Sequence, residues 1–245
     1  MRLAVVSDIH ANGEALDAVA REIARRRPDR VVHLGDLVGY NAEPGRCVAW
    51  AADNAVDGVM GNHDAVACGK SGGENFNAAA REAALWSGAR LSPEAASFLS
   101  RLPDRLAIGD DILLVHGAPS DPDRYLYRVA DAEAEMTALT VVAAPRVVFC
   151  GHTHVPAAFV RRSGGAVVAA PLAGLRLARG DRAILNPGSV GQPRDRDPRA
   201  SFLVFDTDTG EAEWVRVPYD VKACQEKVLA AGLPRFLAAR LSEGT

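Results

Sequence analysis

Six histidines occur in the 245-residue chain, and five of them sit in short polar clusters: Asp8-Ile9-His10, Asn62-His63-Asp64, His116-Gly117 and His152-Thr153-His154. Asp36 follows Gly35 in a similar setting. Burying carboxylates and imidazoles together is costly unless a cation organises them. Residues two apart in a strand share a face, so Asp8 with His10, and His152 with His154, are each expected to meet one ion from extended backbone. Nitrogen and oxygen donors without thiolate suit Mn²⁺ first, then Fe, Zn²⁺, Co²⁺ or Ni²⁺, rather than an all-oxygen Ca²⁺ or Mg²⁺ cage. Seven side chains (Asp8, His10, Asp36, Asn62, His116, His152 and His154) are too many for one tetrahedral ion. They fit two divalent metal ions sharing a bridge, for which Asp36 is the natural ligand. His33 stands alone in a strand and reads as a core or edge histidine.

What positions these groups is an alternation of strand and helix. Leu3–Val6, Arg30–Leu34 and Val56–Met60 read as strands, separated by helices over Glu14–Arg27 and Pro44–Ala52, and each strand runs into an Asp, Asn or His. That is the placement of a ligand crevice at the carboxyl ends of strands in an α/β sheet. Residues 66–102 read as an all-helical insertion, with a helix start at Ser92-Pro93-Glu94. Leu106–Ile108 and Ile112–Val115 form a hairpin about Gly109-Asp110 that delivers His116. A helix over Ala130–Ala143 precedes the strand Val147–Cys150, which delivers His152 and His154. The remainder is mostly β: Ala157–Arg161, Ala166–Ala169, Arg182–Leu185, Ser201–Phe205 and Glu213–Val217, closed by a helix over Val221–Ala231. One domain spanning 1–245 is the simplest organisation.

Composition excludes several classes. A formal net charge of −3, without a long run of like charges, offers no nucleic-acid surface. No apolar stretch is long enough to span a bilayer, and the N-terminus lacks a secretory leader, so no membrane partner is expected. The four scattered cysteines make a poor disulfide framework. A reducing, cytoplasmic location is therefore expected.

The ordered series Asp8-x-His10, Gly35-Asp36, Gly61-Asn62-His63-Asp64, His116-Gly117 and Gly151-His152-x-His154 resembles the calcineurin-like metallophosphoesterase superfamily. The stretches Ser7-Asp8-Ile9-His10-Ala11-Asn12-Gly13, Gly39-Tyr40-Asn41 and Asn186-Pro187-Gly188-Ser189-Val190-Gly191-Gln192-Pro193-Arg194 are similar to a branch of small bacterial and archaeal phosphoesterases. The resemblance implies a four-layer α/β/β/α sandwich with two facing mixed sheets and the site at one rim. Asp8, His10, Asp36 and His154 would then hold one metal, and Asp36, Asn62, His116 and His152 the other. His63 would touch substrate or leaving group, with Asp64 orienting His63 or a ligand, or else serving as a turn or cap residue.

The expected reaction is hydrolysis of a small phosphodiester or phosphomonoester, with a metal-bridging hydroxide attacking phosphorus directly between cations roughly 3.5–4 Å apart. Asn12, Tyr40 and Asn41 lie beside ligand loops and Arg194 follows the Asn186 turn, so these four are candidates for substrate contact. Arg196 and Arg199 are weaker candidates. Protein Ser/Thr phosphatases and symmetric diadenosine tetraphosphate hydrolases carry an Asp and an Arg where this chain has Gly39 and Tyr40, which argues against both. Alternatives are an asymmetric dinucleoside polyphosphate hydrolase, a protein Ser/Thr phosphatase, or a non-catalytic scaffold of the same fold. Substrate identity and oligomeric state are left open.

Overall fold

β-Branched and aliphatic runs ended by glycine or a polar group make the strands, and apolar residues at helical spacing make the helices between them. The computed structural model describes residues 1–139 and 145–245. Its strands are β1 (Arg2–Val6), β2 (Arg30–His33), β3 (Asp57–Gly58), β4 (Arg105–Ile108), β5 (Ile112–Val115), β6 (Val147–Phe149), β7 (Ala157–Arg161), β8 (Val167–Ala169), β9 (Leu175–Arg176), β10 (Arg182–Asn186), β11 (Ala200–Asp206) and β12 (Glu211–Val217). Its helices are α1 (Gly13–Arg26), α2 (Pro44–Asp53), α3 (Asn62–Ala67), α4 (Ala78–Gly88), α5 (Pro93–Arg101), α6 (Val129–Leu139), α7 (Val221–Ala230) and α8 (Arg235–Ala239).

Two six-stranded mixed sheets result, ordered β3-β2-β1-β11-β12-β9 and β4-β5-β6-β10-β7-β8. In the first, β1, β2 and β3 are parallel. In the second, β5, β6 and β10 are. Strand alternation sorts the side chains into layers. Leu3 and Val5 of β1, Leu203 and Phe205 of β11, and Val147 and Phe149 of β6 meet between the sheets. Ala4, Val6, Phe202 and Val204 face the other way, onto Leu16, Val19 and Ile23 of α1 and Val48 of α2. On the far side, Val148 and Ile184 pack against Ala132 and Met136 of α6. The architecture is the expected four-layer sandwich.

Several local expectations change. The strand expected over Val56–Met60 shrinks to β3, because the Met60 N–H leaves the ladder to donate to the Pro103 carbonyl at 2.9 Å. The stretch expected to be all helical over 66–102 contains the end of α3, then α4 and α5, but residues 68–77 are not helical. Gly69, Gly72 and Gly73 fall in that gap and weaken a helix there. The helix expected to run to Ala143 is present as far as Leu139, and its expected end lies outside the described residues. β9 and α8 were not anticipated. His33 is a buried core histidine whose Nδ1 accepts from the Gly35 N–H at 3.3 Å. All four cysteines are free, and Cys47, Cys150 and Cys224 are buried. Among the described residues no helix is long and apolar enough to cross a membrane.

Phe149 and Phe205 meet edge to face across the two sheets, with centroids 5.6 Å apart. Phe149→Ala is expected to cost about 3–5 kcal/mol of stability. Urea unfolding measures this, and a loss below about 1 kcal/mol would contradict the inter-sheet core described.

Candidate metal centre

The loops leaving β1, β2, β5, β6 and β10 are sewn together by backbone hydrogen bonds. Asp8 N–H donates to Gly35 O at 3.2 Å, His10 N–H to Asp36 O at 2.9 Å, and Gly151 N–H to His116 O at 2.7 Å. Val190 and Gly191 N–H donate to Ser7 O and Asp8 O. The Asn186–Arg194 motif is therefore a brace. Ser189 Oγ donates to Asp8 O at 2.8 Å, and the Asn186 amide to Gly151 O at 2.8 Å.

Asp8, His10, Asp36, His152 and His154 all have φ between 48° and 65°, in the left-handed region. Each such non-glycine residue costs about 1–3 kcal/mol, and such strain clusters at functional sites. The finding also corrects the strand-alternation argument. Asp8 and His10 lie beyond the end of β1, and His152 and His154 beyond β6. Left-handed turns, not an extended backbone, bring each pair to one point.

Backbone carbonyls fix the histidine tautomers, because a carbonyl can only accept. Nδ1–H of His10 donates to Val38 O at 2.9 Å, that of His154 to Gln192 O at 2.7 Å, and that of His116 to Leu34 O at 2.7 Å. His152 is turned the other way, with Nε2–H donating to Asp123 O at 3.1 Å. The other four ring nitrogens, bare only when all four rings are neutral, then face one another in pairs. His10 Nε2 lies 3.1 Å from His154 Nε2, and His116 Nε2 lies 3.0 Å from His152 Nδ1 and 2.9 Å from Asn62 Oδ1.

Asp8 Oδ1 has no hydrogen-bond partner and lies 3.4 Å from His154 Nε2. Asp36 Oδ2 stands between the two pairs, 3.5 Å from His10 Nε2 and 3.4 Å from His116 Nε2. Lone pairs aimed at lone pairs repel unless something positive sits between them. The donor set, with its orphaned carboxylate oxygen, is one that could hold divalent metal. All seven residues expected as ligands are brought together.

Electrostatics carry the same demand. Burial lowers the pKa of His116, but Asp36 and Asp8 outweigh it and push the imidazole up to about 10. Burial raises Asp8 to about 6. Burial would raise Asp36 too, but the neighbouring imidazoles of His116 and His63 hold it well below the usual carboxylate range. Burial keeps His10 and His154 neutral and lowers His152 to about 3.

Of the remaining expected site residues, His63, Tyr40 and Arg194 line a cleft of about 130 Å³ that also touches Asp36, Asn62 and His152. Tyr40 packs against His10 and His63, with centroids 4.5 and 4.4 Å apart. The Arg194 guanidinium lies 5.6 Å from the Tyr40 ring centroid and donates to Gln192 Oε1 at 2.9 Å.

Asn12 and Asn41 do not line the cleft, and their expected substrate role is corrected. The Asn12 carboxamide caps α1 through Ala15 N–H and donates to Gly191 O. The Asn41 amide donates to His10 O. Arg196 and Arg199 are also absent from the cleft wall, and Arg199 pairs with Asp197 at 2.6 Å.

Asp64 does not orient His63, since His63 Nδ1 has no partner. Its carboxylate accepts instead from the N–H groups of Asp36, Leu37 and Gly61 at 2.7, 2.9 and 3.1 Å. It therefore positions the Asp36 ligand loop. At Gly39 (φ +93°) an added Cβ would lie 2.3 Å from His63 Nδ1, so no side chain can occupy the place from which an aspartate would orient that ring.

The four carbonyls that set the tautomers went unread because any residue supplies a carbonyl. Asn75, Phe76, Asn77 and Tyr125, also on the cleft wall, carry no spacing signal.

Because a metal must displace the proton held on His116, cation affinity is expected to rise about tenfold per pH unit between pH 7 and 9, with proton release on binding. Mn²⁺ titrations at constant ionic strength check this, and a pH-independent affinity would contradict it.

A family model described as the calcineurin-like phosphoesterase superfamily domain matches residues 1–210. The uncharacterized protein MJ0912 of Methanocaldococcus jannaschii is 36% identical over 245 residues, covering 99% of this chain and 98% of its own. A crystal structure of a metallophosphoesterase from Sphaerobacter thermophilus aligns over 100% of this chain and 99% of its own, with TM-score 0.84 and 37% identity. The hypothetical protein PH1004 of Pyrococcus horikoshii aligns over 100% and 98%, with TM-score 0.81 at 20% identity, a likeness of fold. The chain belongs to the calcineurin-like phosphoesterase superfamily.

Proposed function

We propose that the protein is a dinuclear metal-dependent hydrolase of a small phosphate ester, acting by direct displacement at phosphorus. The observation that carries this reading is the pairing of bare imidazole nitrogens on either side of Asp36. Asp8, His10, Asp36 and His154 would hold one cation, and Asp36, Asn62, His116 and His152 the other. When bound, such a pair supplies Lewis-acid neutralisation of phosphoryl charge and an acidified water, with Mn²⁺ the first candidate.

The chain's own groups do the rest. Burial lowers His63 to about 4, so the ring is neutral near pH 7. An unpaired N–H buried against Gly39 would cost more than an unpaired lone pair, which leaves the proton on Nε2. His63 thus acts as a neutral donor that stabilises charge developing on a phosphoryl or leaving oxygen. Arg194 at the cleft wall adds a fixed positive charge for the phosphate.

Among the described residues no serine, threonine or cysteine lines the cleft, which favours displacement by water over a covalent phosphoenzyme. A small cleft favours a small ester over a folded protein substrate. Three buried free thiols suit a reducing, cytoplasmic setting.

The test is turnover of a nitrophenyl phosphodiester and of the matching monoester, with and without Mn²⁺, alongside metal analysis. Asp36→Ala is expected to lose both metals and activity. His63→Ala is expected to keep metal and lose about 10²–10³ in kcat. A fully active His63→Ala protein would remove its assignment, and no turnover by the wild type under any metal would favour a scaffold.

A further inference from the structure

Two of the chain's four tyrosines are left exposed beside the metal centre. Tyr125 lies face to face with His152, with centroids 4.0 Å apart and planes at 11°. Tyr127 continues the stack on Tyr125 at 5.5 Å and 16°. They are 43% and 55% exposed, so a ladder of rings climbs from the His152 imidazole to the surface, and nothing among the described residues covers it. A third ring, Phe76, rests on His63 at 4.6 Å and also lines the cleft.

Around these rings lie uncommitted hydrogen-bonding groups. Asn77 Oδ1 accepts from Ala80 N–H at 2.9 Å, and its NH₂ group, on the cleft wall, has no partner among the described residues. The Asn75 carboxamide, on the same wall, makes no hydrogen bond within the chain among the described residues.

Past Asn62, Asn75, Phe76 and Asp123 the cleft adjoins a second lobe of about 180 Å³. That lobe carries the carboxylates of Glu74, Asp104 and Asp123 and no basic side chain. It repels a second phosphate but accepts from hydroxyl groups. Stacking faces beside carboxamides and carboxylates suit a nucleobase on a sugar, since every base presents a π-face and a hydrogen-bonding edge.

We propose that the organic group of the substrate is a nucleoside bearing a single phosphate. Its base stacks on the Tyr125–Tyr127 ladder, its sugar hydroxyls meet Asn75 and Asp123, and its phosphate lies at the metal centre. This rests on the phosphoesterase reading above.

Adenosine 5′-monophosphate and ribose 5-phosphate differ only in the base, so their dissociation constants isolate the stack. Calorimetry with Mn²⁺-supplied full-length His63→Ala protein, in which turnover is suppressed, is expected to give the nucleotide an affinity about fivefold to a hundredfold tighter. Adding Tyr127→Ala is expected to abolish that difference, and Tyr127→Phe, which keeps the ring, to preserve it. Equal affinities for the two compounds, or a difference untouched by Tyr127→Ala, would overturn the proposal. Base-dependent binding in a protein whose wild type hydrolyses no phosphate ester would sink the phosphoesterase reading and leave the base site standing. Turnover of nitrophenyl esters together with equal affinities would sink the base site alone.

Discussion

Repulsion between like partial charges organises this molecule at one rim. Four imidazoles, each with one nitrogen tied to a main-chain carbonyl, turn their other nitrogen toward a second lone pair about 3 Å away. Asp36 and Asp8 add carboxylate oxygens to the same space. Such a cluster is tolerable only with positive charge inside it. The protons and cations that can supply that charge compete for the same nitrogens, and the raised pKa of His116 is the sign of that competition. Because the tautomers are set from outside, by Val38, Gln192, Leu34 and Asp123, the cluster is preorganised and does not need to be assembled by its ligand.

The rest of the fold holds that arrangement against its own strain. Five of the clustered residues adopt left-handed backbone, a cost borne by the inter-sheet core behind them and by hydrogen bonds between loops. Asp64 gathers three or more amides of the Asp36 and Gly61 loops, and the Asn186–Arg194 segment clamps the Asp8 and His152 loops. Residues that look catalytic by position are in several cases structural braces. Each brace serves to keep a ligand loop in a conformation that it would not hold alone.

Much of this was legible in the residues themselves. Asp8, Asp36, His116, His152 and His154 announce themselves because each follows an apolar run that becomes a strand, and strand order then carries them to one rim. Conformation was less legible. An Asp-x-His pair reads equally well as strand or turn, and only the structure shows the left-handed φ that makes the pair converge. Asn12 and Asn41 were misjudged because nearness in sequence does not say which way a carboxamide points. Tyr125 and Phe76 escaped notice because loops without periodicity give no hint of what they face.

The most direct test of the account is anomalous diffraction at the manganese edge from crystals grown with Mn²⁺. Two peaks are expected. One should lie between Asp8 and the Nε2 atoms of His10 and His154, the other among His116 Nε2, His152 Nδ1 and Asn62 Oδ1, both within reach of Asp36. A single peak elsewhere, or none with these nitrogens still facing one another, would contradict it.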